Sequence, residues 1–303
     1  MQHFDGLDSN REPYGILLID KPAGWTSHDV VQKTRSILKT KAIGHSGTLD
    51  PFATGLLVLC VGKATKLVKF YTEHDKTYEA EVVLGVQTDT DDLTGHILRQ
   101  IPAGKITDRQ IEDALQEFIG PMMQDPPAYS AIKINGKKLY QYARNNQDSP
   151  KVMPREVVIK SINLLGIEKR SESTITLRMT MDVSKGTYIR AFARDLGNRL
   201  GVGACLAQLN RLRVGNYHLT DAAQIDELSA GQIHLLDPLS GLGLSRMIVD
   251  QDWVKKIENG VMMPSSLFIR LEPHILVSPE GYELAIYEPD EHHTCMRMSV
   301  KLS

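Results

Sequence analysis

The sequence lacks the motifs that would assign it to the common cofactor and metal classes of enzyme. It has no P-loop, no Gly-x-Gly-x-x-Gly dinucleotide motif, no His-Glu-x-x-His motif and no cluster of Cys and His at metal-ligand spacing. The three cysteines, Cys60, Cys205 and Cys295, are odd in number and far apart, which argues against a disulfide framework and against a zinc site. We therefore expect no metal, no cofactor and a reducing, cytoplasmic environment.

Membrane-targeting signals are also missing from the sequence. Its opening residues, MQHFDGLDSNREPYG, are polar, and no apolar run approaches the roughly 18 residues that a membrane span requires. Hydrophobic residues make up 42% of the 303 positions and charged residues 24%, as in ordinary soluble proteins. We expect no membrane partner. A chain of this length predicts one large domain with a small one, or two of medium size.

Charge is nearly balanced overall but is unevenly distributed. The formal net charge is −2, which by itself gives no indication of a nucleic-acid partner. Residues 131–170 nevertheless carry nine Lys and Arg against three acidic residues, and residues 185–213 carry six against one. Residues 246–303 are acidic, with nine Asp and Glu against six Lys and Arg. The two basic segments indicate a surface that faces a polyanion, although such segments are often only solvated faces.

The most unusual stretch is GHSGTLDPFATG, residues 44–55, with Asp50 near its centre. Its glycines and its proline disfavour a regular helix or strand, and Pro51 biases Asp50 towards an extended backbone. The apolar run GLLVLCVG that follows predicts a buried strand. Asp50 is therefore either a turn-forming residue or a carboxylate presented for chemistry at the mouth of a core strand.

Hydrophobic periodicity predicts strands and helices along most of the chain. The predicted helices follow Thr26 or Ser27, run from Thr107 to Gly120, run from Tyr188 to Gly201, and lie within 221–233. The predicted strands are 15–19, 55–62, 76–85, 157–167, 173–184 and 206–219. Residues 88–95, TDTDDLTG, fail as a calcium-binding EF-hand because Leu93 and Ile101 stand where oxygen ligands are required, so we interpret them as an acidic loop.

Residues 124–156 differ in character from the rest of the chain. They contain a double proline, an Asn135-Gly136 pair typical of a two-residue hairpin turn, and tyrosines interleaved with lysines. No apolar period ties this segment to a core. We predict that it forms a projecting arm.

Several chemically useful residues remain once cofactor chemistry is set aside. An ionised carboxylate such as Asp50 is a modest nucleophile that needs close placement and a counter-charge. Arg190 is able to supply that charge through a fork-shaped hydrogen bond, and the tyrosines suggest a flat substrate held by stacking. The residues alone therefore predict a carboxylate-centred enzyme that acts on a planar, anionic substrate such as RNA.

Five segments, in order, resemble the signature segments of the TruB family of tRNA pseudouridine synthases. They are GILLIDKPAGWTSHDVV, GHSGTLDPFATGLL, KTYEAEVVLGVQTDTDDLTG, DPPAYSAIKINGKKLYQYAR and KGTYIRAFARDLG. The resemblance runs from about Tyr14 to Gly215, roughly two-thirds of the chain. It implies isomerisation of the uridine at position 55 in the T loop of tRNA. The N1–C1′ bond is broken, the base rotates and a C5–C1′ bond is made, without cofactor or metal.

The resemblance also implies roles for individual residues. Asp50 corresponds to the catalytic aspartate, which attacks the nucleotide either by adding to the ribose or by deprotonating it. Arg190 corresponds to its salt-bridge partner. The other substrate-binding positions are Tyr188, a second active-site tyrosine; Tyr78, which stacks on the flipped base; Leu209, which lines the pocket; and His45, which fills the space that the flipped base leaves.

The fold implied by the resemblance is α+β. It is the pseudouridine synthase fold, with a mixed, mainly antiparallel central sheet flanked by helices and loops. Residues 1–240 would form the catalytic domain, and residues 246–303 a small β-rich, PUA-like RNA-binding domain. The arm 124–156 corresponds to an RNA-gripping thumb. The residues expected to contact the RNA backbone are Lys133, Lys137, Lys138 and Arg144.

Three interpretations remain open from the sequence. The first is a stand-alone, monomeric enzyme that binds the T arm of tRNA and needs no guide RNA or obligate protein partner. The second is an RNA-binding module that folds tRNA, with isomerisation secondary. The third is a guide-RNA-dependent relative. The long basic arm argues against the third, because guide-dependent members rely on partners to hold their substrate.

Overall fold

The computed structural model describes residues 12–130, 132–134, 136–139, 142, 152–169 and 171–302. The chain divides into two compact units, residues 1–236 and 237–303. In the described part of the chain, the helices are α1 Ser27–Leu38, α2 Val68–Thr72, α3 Asp108–Glu117, α4 Ile189–Arg199, α5 Ile225–Ser229 and α6 Gln251–Glu258. Short 3-10 segments lie at Gly62–Leu67, Leu219–Asp221 and Ser265–Leu267.

The strands of the first unit include most of those that the hydrophobic pattern predicts. They are β1 Gly15–Lys21, β2 Ile43–His45, β3 Thr54–Val61, β4 Lys76–Leu84, β5 Val86–Thr88, β6 Ile97–Gln100, β7 Gly120–Gln124, β8 Lys133–Ile134, β9 Lys137–Lys138, β10 Arg155–Lys169, β11 Ile175–Val183, β12 Ala204–Val214 and β13 Tyr217–His218. Those of the second unit are β14 Ser245–Ile248, β15 Met263–Pro264, β16 His274–Val277, β17 Glu283–Pro289 and β18 Cys295–Lys301.

Among the described residues, nine strands of the first unit form one mixed sheet. Its order is β1-β3-β12-β4-β11-β10-β7, with β2 paired to β3 and β13 to β12. The β3–β12 pair is parallel, whereas the other pairs are antiparallel. One face of the strands β4, β11 and β12 packs against α4 in a fully apolar cluster that includes Met179, Leu206 and Phe192. The mainly antiparallel sheet matches the predicted architecture.

A close approach between β3 and β12 fixes the start of β3, directly after Asp50. Gly55 has φ +99°, and a Cβ atom there would lie 2.3 Å from Asn210 Oδ1 and 2.4 Å from the Arg211 carbonyl oxygen. Only glycine fits so tight a contact in that backbone conformation. Residues 46–53, which connect β2 to β3 and which we call the Asp50 loop, are therefore held against β12 at their end.

Helix α1 begins as predicted. The Thr26 hydroxyl accepts from the Asp29 backbone N–H, and the Asp29 carboxylate accepts from the Thr26 backbone N–H. Such reciprocal capping satisfies two N–H groups that a helix end leaves unpaired. The buried face of the helix packs on β1 and β3 through Val30, Val31 and Leu38.

Helix α4 also follows the predicted strand-to-helix turn, with Tyr188 as its N-cap residue. A Cβ atom at Gly197 would lie 2.1 Å from the Ala204 backbone nitrogen, so the helix approaches β12 more closely than a side chain would allow. This contact fixes the helix whose first turn carries Arg190.

Several predicted segments have different bounds in the structure; the predicted strand 206–219, for example, is divided into β12 and β13. Helix α3 ends at Glu117 rather than at Gly120, because Gly120 has φ +117° and starts β7. Helix α5 spans only Ile225–Ser229, and the chain turns away at Gly231, with φ +85°. The ends of the predicted arm 124–156 belong to the central sheet, since Gln124 closes β7 and Arg155 opens β10. The hairpin turn is confirmed, as Ile134 pairs with Lys137.

The second unit contains a five-stranded sheet in the described residues, with the order β14-β16-β17-β18-β15. Its core is formed by apolar side chains of the sheet and of α6, among them Ile257, Leu276, Tyr287 and Met296. Within the described residues, no helix is both long and apolar enough to cross a membrane. Cys60 and Cys205 are buried free thiols, and Cys295 is a partly exposed one.

Candidate active site

Asp50 opens onto a cavity of about 840 Å³ in the first unit. The cavity brings together the start of α1, the Asp50 loop, the acidic segment 88–95 and the start of the predicted arm. Its lining residues are Thr26, Ser27, His28, His45, Thr48, Leu49, Asp50, Pro51, Phe52, Thr90, Asp92, Thr94, Tyr129, Ser130 and Arg190.

The predicted pairing of Asp50 with Arg190 is present as a two-point hydrogen bond. Arg190 Nε donates to Asp50 Oδ2 at 2.8 Å, and Nη2 donates to Oδ1 at 3.0 Å. The Asp50 side chain is 32% exposed, whereas that of Arg190 is 5% exposed. The fork fixes the plane of the carboxylate and leaves part of it open to the cavity.

Arg190 is itself held by two backbone carbonyls. Its Nη1 donates to the Thr90 oxygen at 3.0 Å and its Nη2 to the Tyr129 oxygen at 2.9 Å. Four hydrogen bonds therefore fix a guanidinium that has little access to solvent. Because every residue has a backbone carbonyl, these two contacts have no signature in the sequence.

The segment 88–95 contributes to the site, which its interpretation as an acidic loop did not include. Asp92 is buried, and its Oδ2 lies 3.8 Å from Arg190 Nε. Its Oδ1 accepts from the Thr90 hydroxyl at 2.9 Å and from the Thr94 backbone N–H at 2.9 Å. Asp92 is thus a second carboxylate beside the Arg190 guanidinium, held in place by its own loop.

A second ion pair lies one turn further along α4. Arg194 Nη1 is 3.3 Å from Asp91 Oδ2, and Arg194 Nε donates to Asp195 Oδ1 at 2.9 Å. Burial raises the pKa of Asp91 to about 6, although Arg194 and Arg190 oppose that change. The acidic segment is therefore tied to α4 at two successive arginines.

Two buried side chains anchor the Asp50 loop. Lys21, at the end of β1, is fully buried and donates to the carbonyl oxygens of Trp25 at 2.7 Å and Pro51 at 3.3 Å. The Ser27 hydroxyl accepts from the Leu49 backbone N–H at 2.9 Å. Burial lowers the pKa of Lys21 to about 8, against the raising effect of Asp50.

The lowered pKa of Lys21 predicts a pH-dependent stability. The unfolded chain holds the lysine proton up to about pH 10.5, whereas the folded chain releases it near pH 8. Between these values the unfolded state binds more protons, so the free energy of unfolding should rise with pH. In denaturant titrations from pH 7.5 to 10.5, the free energy of unfolding should rise less steeply for Lys21→Met than for the wild type. Burial also lowers the pKa of Lys76 to about 8, so Lys76 should cause the rise that the variant retains. The exposed Lys33 provides the matched control Lys33→Met, and equal slopes for all three proteins would contradict the prediction.

Among the predicted site residues, Asp50, His45 and Arg190 line the cavity, whereas Tyr78, Tyr188 and Leu209 are not among its lining residues. Tyr78 on β4 and Leu209 on β12 are buried in the same apolar cluster as Leu49 and Ala53, which flank Asp50 in the chain. The backbone of Tyr188 pairs with the buried Gln124 side chain, which donates to the Tyr188 oxygen at 3.1 Å and accepts from its N–H at 2.8 Å.

The Tyr188 ring is covered by a cation. The Arg155 guanidinium carbon lies 4.3 Å from the ring centroid, within the range of a cation–π contact. Arg155 belongs to the basic segment 131–170. Its contact with the ring was not predicted, because the two residues are far apart in the sequence.

His45 lines the cavity at the end of β2. Burial is the main cause that lowers its pKa, with smaller contributions from Arg211 and His28, and the lowered pKa favours the neutral ring. The Gly47 backbone N–H donates to its Nδ1 at 3.3 Å. A neutral, flat ring in this position is suited to stacking.

The basic segment 185–213 is largely paired within the protein. Its pairs are Lys185 with Glu73, Arg190 with Asp50, Arg194 with Asp91, Arg199 with Glu117, and Arg213 with Asp182. Arg211 is buried and donates to the Leu56 carbonyl at 2.7 Å. Lys185 and Arg199 remain about half exposed in these pairs, so a polyanion-facing role for the segment stays a prediction. The positive charge is balanced by acids from distant parts of the sequence.

Three of the four predicted RNA-backbone residues lie in the hairpin formed by β8 and β9, which we call the arm hairpin. Lys133 is on β8, and Lys137 and Lys138 are on β9. Arg144 lies outside the described residues. The structure therefore places the backbones of three of these positions on one small hairpin. Within the described residues no group of three or more His, Cys, Asp or Glu is arranged to hold a metal ion.

Known proteins are similar to this chain over most of its length. The model of the TruB family pseudouridylate synthase (N terminal domain) matches residues 35–189. The tRNA pseudouridine synthase B of Staphylococcus saprophyticus is 40% identical over 290 residues, covering 91% of this chain and 94% of that protein. The chain belongs to the TruB family of pseudouridylate synthases. Membership confirms the predicted resemblance and shows that the protein is an enzyme of the pseudouridine synthase class.

A second TruB-family relative and two solved structures extend the comparison. The tRNA pseudouridine synthase B of Bacillus subtilis is 41% identical over 259 residues, 82% of this chain and 83% of that protein. A chain of a Cbf5-Nop10-Gar1 complex superposes with a TM-score of 0.67 at 22% identity, over 96% of this chain and 84% of that chain. An archaeal box H/ACA sRNP Nop10-Cbf5 complex gives 0.65 at 20% identity, over 95% and 85%. These two likenesses confirm the predicted pseudouridine synthase fold.

Proposed function

We propose that this protein converts the uridine at position 55 in the T loop of tRNA into pseudouridine, with Asp50 as the catalytic carboxylate. The single observation that carries the proposal is the Asp50–Arg190 fork, fixed at the wall of a cavity. The relatives at 40% and 41% identity, named tRNA pseudouridine synthase B, support tRNA as the substrate. Their identities exceed the 22% shared with the Cbf5 chain, which supports a stand-alone enzyme.

The proposed reaction is an isomerisation in which the elemental composition of the uridine does not change. The N1–C1′ bond breaks, the base rotates, and a C5–C1′ bond forms. The hydrogen on C5 leaves as a proton, and N1 gains a proton. Asp50 acts on the ribose, either by adding to it or by deprotonating it, while Arg190 holds the carboxylate in a fixed orientation.

The site requires the target nucleotide to leave its stack. C1′ and the base are out of reach inside a folded loop, and extruding a nucleotide costs a few kcal/mol. A cavity of about 840 Å³ lies within the size range of small-molecule sites. We propose that Tyr78 stacks on the flipped base, that Leu209 and Tyr188 complete the pocket, and that His45 fills the gap in the RNA.

The remaining parts of the chain are assigned by the same proposal. The arm hairpin would grip the RNA backbone, and the second unit would be a PUA-like RNA-binding domain. We propose that the enzyme works in the cytoplasm as a monomer, without guide RNA, obligate protein partner, metal or cofactor. The free thiols of Cys60, Cys205 and Cys295 support a reducing compartment.

Incubation of the purified protein with an unmodified tRNA transcript tests the proposal. Mapping of pseudouridine should find one modified position, in the T loop, with no other macromolecule added and with a chelator present. Modification elsewhere, a strict requirement for another RNA or protein, or loss of activity on chelation would contradict it.

A salt titration tests the grip of the arm. If Lys137 and Lys138 contact phosphates, their double replacement by Gln should flatten the log–log salt dependence of tRNA binding by roughly one to two units. The expected reason is that about one unit of slope is lost with each phosphate contact. An unchanged slope would show that Lys137 and Lys138 do not contact RNA phosphates, which would contradict the proposed role of the arm hairpin.

Replacement of His45 tests the flipping step. The variant His45→Ala should fold normally yet weaken RNA binding or slow turnover, by about tenfold, because the ring provides stacking worth about 1–3 kcal/mol per base. Single-turnover kinetics would measure the effect. His28 lines the same cavity but pairs with Gln32 at 3.0 Å on the exposed face of α1, so His28→Ala is the matched control. A His45→Ala enzyme as active as the wild type would assign His45 a purely structural role.

A further inference from the structure

Two serines of nearly equal burial line the cavity, and they differ in whether the hydroxyl has a hydrogen-bond partner. Ser27 is 2% exposed and Ser130 is 3% exposed. The Ser27 hydroxyl donates to the Leu49 oxygen at 3.2 Å and accepts from the Leu49 N–H at 2.9 Å. The Ser130 hydroxyl oxygen is shielded from solvent and has no hydrogen-bond partner in the part of the chain that the structure describes. A buried hydroxyl without a partner is unfavourable, and native proteins contain few of them.

The backbone beside Ser130 is fixed to the catalytic pair. The carbonyl of the preceding residue, Tyr129, accepts from Arg190 Nη2 at 2.9 Å, and Arg190 in turn holds Asp50. The Ser130 hydroxyl therefore lies on a part of the cavity wall whose position is set by the catalytic arginine. A serine side chain has one heavy-atom torsion, with three staggered positions, so a single rotation redirects its oxygen.

We propose that Ser130 is a substrate-positioning residue whose hydroxyl forms a hydrogen bond with the polar edge of the flipped uracil. This inference rests on the proposed function. The edge of uracil alternates carbonyl acceptors with an N–H donor, and a serine hydroxyl both donates and accepts. A group with both capacities suits a base that rotates within the site, because it pairs with either a carbonyl or an N–H. The substrate then supplies the hydrogen-bond partner that the Ser130 hydroxyl lacks in the free enzyme.

Binding of two RNA hairpins tests the proposal in an Asp50→Asn background, where turnover does not interfere. One T-arm hairpin carries uridine at the target position, and the other carries an abasic site. Ser130→Ala should weaken binding of the uridine hairpin by about three- to tenfold, the value of one ordinary hydrogen bond, and leave binding of the abasic hairpin unchanged. The melting temperature should stay the same or rise, because an unpaired buried hydroxyl is removed.

Ser27→Ala is the matched control, since it removes an equally buried hydroxyl that the fold already uses. It should lower the melting temperature and affect the two hairpins alike. If Ser130→Ala behaves like Ser27→Ala, or weakens both hairpins equally, Ser130 is structural and the proposal is overturned. Wild-type turnover of the uridine hairpin, measured in parallel, separates the two claims. Absence of pseudouridine would overturn the proposed function, whereas normal turnover with no change in the ratio of the two affinities would overturn only the role of Ser130.

Discussion

Arg190→Lys is expected to reduce the rate of pseudouridine formation by at least about a hundredfold, equivalent to about 2.7 kcal/mol of activation free energy. Lysine keeps the positive charge but replaces a planar fork with a single ammonium group. The fork holds both oxygens of Asp50, at 2.8 and 3.0 Å, and also bonds the Thr90 and Tyr129 carbonyls. One ammonium cannot occupy all four positions, so the carboxylate loses its fixed plane.

Binding of tRNA should change much less than the rate, by less than about threefold. The reason is that the Arg190 side chain is only 5% exposed and is surrounded by protein groups rather than by the cavity alone. Single-turnover kinetics and equilibrium binding on the same preparation would separate the two effects. Arg199→Lys is the matched control, because Arg199 is an exposed residue of α4 that pairs with Glu117. An Arg190→Lys enzyme with near wild-type rate would show that the geometry of the fork does not matter for the chemistry.

The local parts of this site could be predicted from the sequence. Glycine, proline and the adjoining apolar run predict the shaped loop and buried strand around Asp50, and Thr26 with Asp29 predicts the start of α1. The pairing of Asp50 with Arg190 follows from the chemistry of the two side chains, since a carboxylate in a cavity needs a counter-charge. These inferences depend only on the backbone preferences of neighbouring residues and on the attraction between opposite charges.

The contacts that complete the site could not be predicted in the same way. The carbonyls of Thr90 and Tyr129 carry no side-chain signature, and their positions depend on a sheet that brings distant segments together. Asp92 belongs to a run of acids that resembles a solvated loop, and only burial beside Arg190 distinguishes it. The ion pairs of the basic segment 185–213 could not be predicted for the same reason, because its acidic partners lie up to 140 residues away in the chain, as with Asp50 and Arg190.

Asp50→Asn is expected to abolish turnover while preserving the fold and the substrate complex. Asparagine has nearly the shape of aspartate and retains an acceptor oxygen for Arg190, but it is neutral and a poor nucleophile. Binding of T-arm RNA should stay within about tenfold of the wild type, or about 1.4 kcal/mol. Asp91→Asn is the matched control, because it neutralises the neighbouring carboxylate–arginine pair and Arg194 keeps its bond to Asp195. That control should retain most of the activity.

Release of the hydrogen on C5 of the target uridine, followed with a C5-tritiated tRNA and an excess of enzyme, is the most direct measurement of the central claim. This hydrogen leaves only when C5 bonds to C1′, so its release reports the chemical step rather than binding. Asp50→Asn protein that folds normally and binds the RNA should release it at less than about one ten-thousandth of the wild-type rate, a loss of about 5.4 kcal/mol. Release at a near wild-type rate from the same folded, RNA-bound variant would show that Asp50 only shapes its turn.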